Sequence, residues 1–375
     1  MTTNPLLQLN ALGQSVWLDN LGRGMVEGGK LARLVADDGV SGVTSNPAIF
    51  QKSIAGSADY DSQIRELAGD DLDTVALFEA LAIRDIRGAA DVLREVYDRS
   101  EGTDGFVSLE VSPHLARDTE GTIAEATRLW GEVNRPNLLI KIPGTPEGIP
   151  AIRTALERDI NVNVTLIFSL EAYREIMEAH LNALENRVQR GESPSTVASV
   201  ASFFLSRIDV LVDRTIDAMV EAGDRAERAR TLRGRAAVAS AKLAYQQWKS
   251  IYSGPRWEAL AAAGARVQKP LWASTSTKDP VYPDVKYVEP LIGPQTINTL
   301  PEVTVAAFRD HGIAALTIED NIEEERRVMD ELAELGIDMT KVTDTLLDEG
   351  IQKFNKPFDS LMESLEAKRA ALGSG

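Results

Sequence analysis

The chain contains no cysteine and few histidines, and both absences exclude classes of chemistry. Without a thiol among its 375 residues, it has no disulfide, no thiolate nucleophile and no cysteine-ligated metal or iron-sulfur centre. Its three histidines, His114, His180 and His311, stand far apart in the sequence. Because a metal centre built on imidazole needs several such ligands in one place, we expect no metal site.

Net charge and hydrophobicity limit the kinds of partner that the chain is expected to bind. The sequence has 40 basic against 57 acidic residues, a net charge of -17, which opposes binding to nucleic acid or anionic membranes as a main function. No basic-then-apolar signal peptide opens the chain, and no apolar stretch is long enough to span a membrane. We therefore expect a cytoplasmic protein that has neither nucleic acid nor membrane as a partner.

Short apolar runs alternate with longer stretches of helical periodicity along the chain. The runs predict eight strands, at 16–21, 42–46, 106–111, 138–142, 161–168, 197–204, 270–275 and 287–292. Helices are predicted between most of them, over 74–97, 119–134, 147–158, 170–190 and 208–223. This alternation favours an α/β fold, the (β/α)8 barrel, whose usual size of roughly 200 to 400 residues includes this chain. A doubly wound sheet is the rival, but no glycine-rich nucleotide loop follows a strand.

The uneven spacing of the strands predicts extra helices. More than sixty residues separate the sixth and seventh strands, enough for several helices, including 225–253. Only 276–286 separates the seventh from the eighth, and Pro280 and Pro283 leave no room there for an ordinary helix. Further helices are predicted over 301–311, 319–335 and 358–372, the last two packing on the barrel exterior or over its mouth. We predict a single (β/α)8 domain over 1–375, with additional C-terminal helices at about 319–372.

One lysine stands inside the fourth predicted strand. Lys141 belongs to the aliphatic run LLIKIP at 138–143. A buried ammonium is costly, so a lysine in such a strand is either partnered or kept partly neutral as a nucleophile. Burial lowers the pKa of an amine and makes its nucleophilic free form abundant near neutral pH. Taken alone, however, Lys141 is better explained as a partnered or edge lysine.

Strand alternation places further polar side chains on the same side as Lys141. Successive residues of a strand point to opposite faces, so Lys141 shares a face with Leu139 and is predicted to lie inside the barrel. The same parity gives inward polar residues on six other strands: Asp19, Asn46, Ser108, Glu110, Asn161, Asn163, Thr165, Ser202 and Ser274. Most of these lie towards the carboxyl ends of the strands, where barrel enzymes place their active sites.

Each polar residue also has a structural explanation. Asp19 could cap a helix, Asn46 could form a turn, and the Thr165 hydroxyl could bond a backbone carbonyl. Glu110 and Lys141 could form a buried structural ion pair. These explanations do not account for the joint convergence of an amine, two carboxylates, two amides and several hydroxyls. That combination suits carbonyl chemistry through a Schiff base.

Two basic residues follow this polar set in the sequence. Arg207 comes five residues after Ser202, and Lys278 lies just beyond Ser274. An arginine guanidinium has a planar fork that suits phosphate, so Arg207 is a candidate anion ligand, with Lys278 as a second. The alternatives are an exposed arginine at a helix start and an ordinary loop lysine.

Five segments resemble the signature segments of the transaldolase family. They are, in chain order, GVTSNP (42–47), VSLEV (107–111), LIKIP (139–143), NVNVTL (161–166) and WAST (272–275). The resemblance extends from about residue 17 to the final helix, and each segment lies on its expected strand. It implies a (β/α)8 barrel that forms a Schiff base and requires neither a metal nor an organic cofactor.

The resemblance implies a role for each catalytic residue. Lys141 is similar to the lysine that attacks the ketose-phosphate carbonyl. Glu110 and Thr165 resemble the pair that orients a water for proton transfer while the iminium forms. Asp19 resembles the base that takes the hydroxyl proton as the carbon-carbon bond breaks.

The resemblance also implies a set of substrate ligands. The hydroxyls of the three-carbon fragment would be held by Asn46, Asn163 and Ser202, and the phosphate by Arg207. One departure concerns the loop after Ser274, where many relatives carry an arginine. Here Ser276, Thr277 and Lys278 follow instead. Lys278 would substitute only as a point charge, without a bidentate grip.

The reaction implied by the resemblance belongs to the pentose phosphate pathway. A dihydroxyacetone unit would pass from sedoheptulose 7-phosphate to glyceraldehyde 3-phosphate, giving erythrose 4-phosphate and fructose 6-phosphate. The partners would be sugar phosphates, and the chain would act as a monomer or homodimer. Two alternatives stay open. One is a class I aldolase that releases free dihydroxyacetone, and the other is a non-catalytic sugar-phosphate-binding barrel in which the lysine is only an anion ligand.

Overall fold

Eight parallel strands close into a barrel in the computed structural model, which describes residues 4–67, 72–223 and 226–373. The strands are β1 (Gln14–Leu18), β2 (Val40–Val43), β3 (Phe106–Glu110), β4 (Leu138–Pro143), β5 (Val162–Ile167), β6 (Ser199–Phe204), β7 (Lys269–Ala273) and β8 (Thr296–Leu300). Each pairs with its neighbour in chain order, and β1 closes the barrel against β8. The predicted fold class is confirmed.

Helices surround the barrel and extend beyond it. Within the described ranges they are α1 (Pro5–Ala11), α2 (Arg23–Glu27), α3 (Lys30–Asp38), α4 (Pro47–Ala55), α5 (Asp61–Leu67), α6 (Thr74–Val92), α7 (Arg94–Arg99), α8 (Thr119–Val133), α9 (Gly148–Glu157), α10 (Leu170–Gln189), α11 (Ser206–Glu221), α12 (Ala226–Leu232), α13 (Ala236–Ile251), α14 (Pro255–Ala262), α15 (Glu302–His311), α16 (Ile322–Glu334) and α17 (Met339–Gly373). None of the helices in these ranges is long and apolar enough to cross a membrane. Arg225, where a helix was predicted to begin, lies outside the described residues.

Short polar side chains start several of the barrel helices. The side-chain oxygens of Asn46, Asp73, Asp118 and Ser169 accept hydrogen bonds from backbone N–H groups in the first turns of α4, α6, α8 and α10. Each bond satisfies a donor that has no partner within its helix. The caps of α4 and α10 stand directly after β2 and β5, so they fix where these two strands give way to helices at the carboxyl end of the barrel.

The eighth strand does not lie where it was predicted. The segment 287–292 contains a 3-10 turn, Glu289–Leu291, and the strand follows at Thr296–Leu300. The chain between β7 and β8 is therefore longer than the predicted 276–286. All five residues of β8 are buried, yet polar residues predominate. They are satisfied by hydrogen bonds, as when Asn298 Nδ2 donates to the Tyr287 carbonyl at 3.1 Å, so the strand lacks an apolar run that would reveal it.

The C-terminal segment is more helical than predicted. Instead of a new helix beginning at 358, one continuous helix, α17, spans Met339–Gly373 with Pro357 inside it. Its contacts follow the carboxyl end of the barrel. Gly350 lies against Leu166 at the end of β5, and Lys368 Nζ donates to the Ile54 carbonyl of α4 at 3.1 Å. Of the two expected placements of the last helices, on the barrel exterior or over its mouth, α17 takes the second.

Candidate active site

Strand register brings the central residues of the site together. In the parallel ladders, Glu110 on β3 lies opposite Lys141 on β4, and Lys141 lies opposite Asn163 on β5. Thr165 is paired two residues further along, with Pro143. Because all the strands run in the same direction, these side chains gather at the carboxyl end of the barrel.

Lys141 is buried, and no carboxylate of the described residues forms an ion pair with its amine. Its side chain is among the buried polar groups, with the residue 5% exposed, and Nζ donates a 2.8 Å hydrogen bond to the backbone carbonyl of Ser45. Within the described parts of the chain no ion pair joins it to Glu110, whose Oε2 is buried without a hydrogen-bond partner. The structural alternative, a tight pair between these two residues, is therefore not what the geometry contains.

Glu110 is held in an environment that favours its neutral form. Burial raises the pKa of its carboxyl; the positive charges of Lys141 and Arg207 oppose this rise, and the negative charge of Asp19 adds to it. Across the β4 strand, the Thr165 hydroxyl is completely buried and also lacks a hydrogen-bond partner among the described residues. A carboxyl that can be protonated and a free hydroxyl form a pair able to bind and orient one water.

Asp19 follows β1 and is anchored at two points. Its backbone N–H donates to the Leu300 carbonyl at 2.8 Å, and its Oδ1 accepts a 2.8 Å hydrogen bond from Thr44 Oγ1. Burial raises the pKa of the carboxyl, whereas the Lys141 charge and the Thr44 bond oppose the rise. The two carboxyls with raised pKa values, Asp19 and Glu110, thus share one amine, an arrangement typical of acid-base sites.

A fixed chain of hydrogen bonds crosses the barrel interior. Ser202 Oγ donates to Asn163 Oδ1 at 2.7 Å, and Asn163 Nδ2 donates to Ser108 Oγ at 3.1 Å. The chain fixes the orientation of the Asn163 amide. Asn46, whose structural alternative was a turn, instead caps a helix: its Oδ1 accepts a hydrogen bond from the Ile49 N–H of α4 at 3.0 Å. Its second amide function, Nδ2, is not used by that cap.

Arg207 lies at the start of α11, where its guanidinium contacts two aromatic rings and has a hydrogen-bond donor without a partner among the described residues. Its Cζ is 5.3 Å from the Phe204 ring centroid and 5.9 Å from that of Phe354 on α17. Nη1 is buried without a hydrogen-bond partner among the described residues. Burial lowers the pKa of the guanidinium, opposed by the charges of Glu349, Asp19 and Glu110. A guanidinium held in this way can accept an anion.

The last two candidates lie on the rim. Ser274 follows β7 with φ at 56°, a left-handed conformation uncommon for serine, and its Oγ lies 2.8 Å from Ser206 Oγ. The Lys278 side chain is exposed and its Nζ donates to Ser276 Oγ at 2.6 Å. Partial burial of the amine and the charge of Arg207 lower its pKa. Lys278 is therefore near enough to Arg207 for the two positive charges to act on each other.

Three contributors were missed at the level of sequence. Strand parity indicates Thr44 only as a neighbour of Asn46, although its hydroxyl bonds Asp19. Ser45 contributes a backbone carbonyl, which no side-chain pattern reveals, and Phe354 lies in a segment without a predicted helix. The GVTSNP segment could have indicated the first two, because both residues stand within it.

The chain matches the family described as Transaldolase/Fructose-6-phosphate aldolase over residues 16–365. It belongs to this family. Among its relatives in the transaldolase/fructose-6-phosphate aldolase family are proteins named transaldolase from Trichodesmium erythraeum, 48% identical over 373 residues and 98% of each chain, and from Parafrankia sp., 49% identical over 373 residues and 99% of each chain. A third, from Thermobifida fusca, is 48% identical over 369 residues, 98% of this chain and 99% of the relative.

Every candidate residue, from Asp19 to Lys278, lies inside the region matched to the transaldolase/fructose-6-phosphate aldolase family. The family assignment and the site therefore concern the same part of the molecule. Among the described residues, no group of three or more histidine, aspartate or glutamate side chains could hold a metal ion.

Proposed function

We propose that this protein is a transaldolase, a transferase that moves a dihydroxyacetone unit from sedoheptulose 7-phosphate to glyceraldehyde 3-phosphate. The products are erythrose 4-phosphate and fructose 6-phosphate. One observation carries the proposal: the Lys141 amine is buried at the carboxyl end of the barrel, bonded to a neutral carbonyl and flanked by two carboxyls with raised pKa values. Membership of the family supports it.

The first chemical step is formation of the Schiff base. The Lys141 nitrogen attacks the ketose carbonyl carbon, C2, and the resulting carbinolamine loses water to give an iminium. Glu110 supplies and removes protons through a water that it shares with the Thr165 hydroxyl. The raised pKa of Glu110 suits this role, because a general acid works best when its pKa lies near the operating pH.

The second step breaks the bond between C3 and C4. Asp19 takes the proton of the C4 hydroxyl, C4 becomes the aldehyde carbon of erythrose 4-phosphate, and the bonding electrons flow into the iminium to give an enamine. The Thr44 hydrogen bond holds Asp19 in position. The enamine then adds to the aldehyde of glyceraldehyde 3-phosphate, and hydrolysis of the new iminium releases fructose 6-phosphate and restores the amine.

Neutral polar groups hold the three-carbon fragment, and cations hold the phosphate. Asn163 and Ser202 offer preoriented hydrogen bonds to sugar hydroxyls, and the Nδ2 of Asn46 offers another. Arg207 binds the phosphate. Lys278, assisted by the nearby Ser274, adds charge from the rim.

Borohydride trapping tests the proposal. The protein is incubated with fructose 6-phosphate and sodium borohydride, and its intact mass is measured. We expect a mass increase equal to a reduced dihydroxyacetone adduct, mapped to the peptide that contains Lys141. Lys141→Ala should show no adduct and lose essentially all turnover. Normal turnover by Lys141→Ala would refute the mechanism.

A fructose-6-phosphate aldolase activity is the second candidate, because the family description includes it. Such an enzyme would use the same lysine but let water release the enamine as free dihydroxyacetone. Assays with and without an acceptor aldehyde separate the two. Product that forms only when acceptor is supplied identifies transfer, and dihydroxyacetone released at the same rate without acceptor identifies the aldolase.

The setting of the reaction forms part of the same proposal. The chain acts as a single domain, as a monomer or homodimer, in the cytoplasm, where charged sugar phosphates are retained because they do not cross a bilayer unaided. Light scattering and cell fractionation test the assembly and the location.

A further inference from the structure

The C-terminal helix lies tightly against the mouth of the barrel. A Cβ atom added at Gly350 of α17 would lie 3.0 Å from Leu166 Cδ2. Leu166 follows Thr165 directly and has φ at 58°, where the pairing of β5 with β6 shifts register. The glycine therefore allows α17 to approach the end of β5 closely. One helical turn later along α17, the chain reaches Phe354.

Phe354 faces the guanidinium of Arg207. The Phe354 side chain is buried, with the residue 7% exposed, and its ring centroid lies 5.9 Å from Arg207 Cζ. Phe204, which precedes α11, provides a second ring at 5.3 Å. A cation above an aromatic ring is attracted by the negative face of the π system. Two separate elements, the end of β6 and α17, thus hold the same cation.

The way Arg207 is held leaves its donors free. Aromatic faces attract the charge without accepting its N–H bonds in the manner of a carboxylate. In the part of the chain that the structure describes, Arg207 has no ion pair, and Nη1 has no hydrogen-bond partner. Glu349 of α17 attracts Arg207 only through space. A carboxylate in direct contact would compete with a phosphate for the same donors.

We propose that Phe354 is a positioning residue that fixes the Arg207 guanidinium for phosphate, so that the C-terminal helix completes the phosphate subsite. This inference rests on the proposed function, since it presupposes that Arg207 binds the phosphate of the substrate. The ring acts through Arg207 and does not touch the reacting carbons. Its loss therefore weakens binding of phosphorylated substrates and leaves the chemistry of the bound three-carbon unit unchanged.

The test compares phosphorylated and unphosphorylated donors. For Phe354→Leu, the KM for fructose 6-phosphate and the inhibition constant of inorganic phosphate should both rise roughly 3-fold to 30-fold, the range expected for loss of one cation-π contact. The kcat/KM for unphosphorylated fructose should stay within about twofold, because that donor makes no phosphate contact. Phe354→Tyr, which retains a ring, should restore the KM.

Phe358→Leu is the matched control. Phe358 lies one turn further along α17, is also 7% exposed and packs on Phe78 and His114, away from Arg207. It should lower thermal stability as much as Phe354→Leu and leave the KM for fructose 6-phosphate unchanged. If Phe354→Leu does not fold, Phe354→Met, which removes the ring and fills irregular space with a flexible side chain, provides the same comparison.

Three results would overturn the inference: an equal loss for both donors, an unchanged KM in the Leu and Met variants, or the same KM increase in Phe358→Leu. Failure of the proposed function can be distinguished from failure of this inference. In that case the wild-type protein itself would show no turnover and no borohydride adduct, before any variant is made.

Discussion

The two ends of the barrel treat buried polar groups differently. At the amino end, the side-chain amides of Asn137 and Asn161 each donate two hydrogen bonds to backbone carbonyls. At the carboxyl end, Glu110 Oε2, Thr165 Oγ1 and Arg207 Nη1 are buried without hydrogen-bond partners among the described residues. At the amino end, Gln14 Oε1, Asn137 Oδ1 and Gln268 Oε1 are unpartnered among the described residues too, but the nitrogen of each of these amides donates a hydrogen bond that holds the side chain. The Thr165 hydroxyl has no partner among those residues.

Along the barrel axis, the polar groups at one end therefore mainly stabilise the fold, and those at the other end are available for function. Buried polar groups are normally satisfied, and each exception costs free energy. At the amino end, the amide nitrogens donate to groups of the protein itself, which stabilises the closed barrel. The carboxyl end keeps charges and hydroxyls available for a ligand, at the expense of stability.

The largest expected effect comes from exchanging one carboxylate oxygen at each end. Asp19→Asn at the carboxyl end should lower kcat by roughly 100-fold to 10,000-fold, the usual loss on removal of a general base. Asp104→Asn at the amino end is the control. Asp104 accepts hydrogen bonds from Ser15 Oγ and Trp17 Nε1, so its substitution should affect stability and leave kcat unchanged. Equal rate losses in the two variants would contradict the functional division of the barrel.

The next largest effects are expected for two asparagines on the inward face of the β5 segment, one at each end of the barrel. Asn161→Ala removes two donated bonds and one accepted from the Ala198 N–H at 2.7 Å. It should lower the free energy of unfolding by about 2–4 kcal/mol, because several buried backbone groups lose a partner. Asn163→Ala should instead mainly lower kcat/KM, with a smaller decrease in the free energy of unfolding than Asn161→Ala. Urea titrations and steady-state kinetics measure both quantities, and the reverse ranking would break the comparison.

A smaller effect is expected on the free energy of unfolding, because burying Glu110 at the carboxyl end destabilises the folded protein. Burial raises its pKa in the folded protein, so the folded state binds more protons than the unfolded state above the ordinary glutamate value. Stability contributed by the neutral form is present at low pH and is lost as the pH rises through the raised pKa. Glu110→Gln, which cannot ionise, should therefore be more stable near pH 8 by about 0.5–2 kcal/mol, a typical gain for relieving a functional site.

The pH dependence provides the check on that gain. The stabilisation by Glu110→Gln should vanish at about pH 3, well below the ordinary glutamate pKa, where both the folded and the unfolded wild-type carboxyls are protonated. Glu363→Gln, at an exposed position of α17, should leave the free energy of unfolding within about 0.5 kcal/mol at either pH. Urea unfolding at several pH values measures this dependence. A gain that grows towards low pH would show that the sign of the argument is wrong.

Much of the barrel could be predicted from sequence because its walls are apolar and regular. Seven of the eight strands lie where apolar runs indicated them, within a few residues at each end. The prediction of the eighth strand was wrong for a physical reason. Its polar residues are satisfied by hydrogen bonds to distant parts of the chain, and the nearby run at 287–292, which contains Pro290, has the more apolar pattern but folds as a turn.

The site was predictable where it depends on strand parity and not where it depends on long-range packing. The alternation of β4 and β5 put Lys141 and Asn163 on one face, and the ladder register places them side by side. The contact between Phe354 and Arg207 could not be foreseen. The segment 339–357 is rich in threonine and contains Gly350, so its helix depends on packing against the barrel more than on intrinsic propensity.

Barrel closure has a consequence for the newly made chain. Gln14 of β1 pairs with Thr296 of β8, so the ring cannot be completed until all eight strands have left the ribosome. Until then Lys141 stands in an open sheet that is accessible to water. The enclosed site should therefore form abruptly once β8 has emerged rather than build up strand by strand.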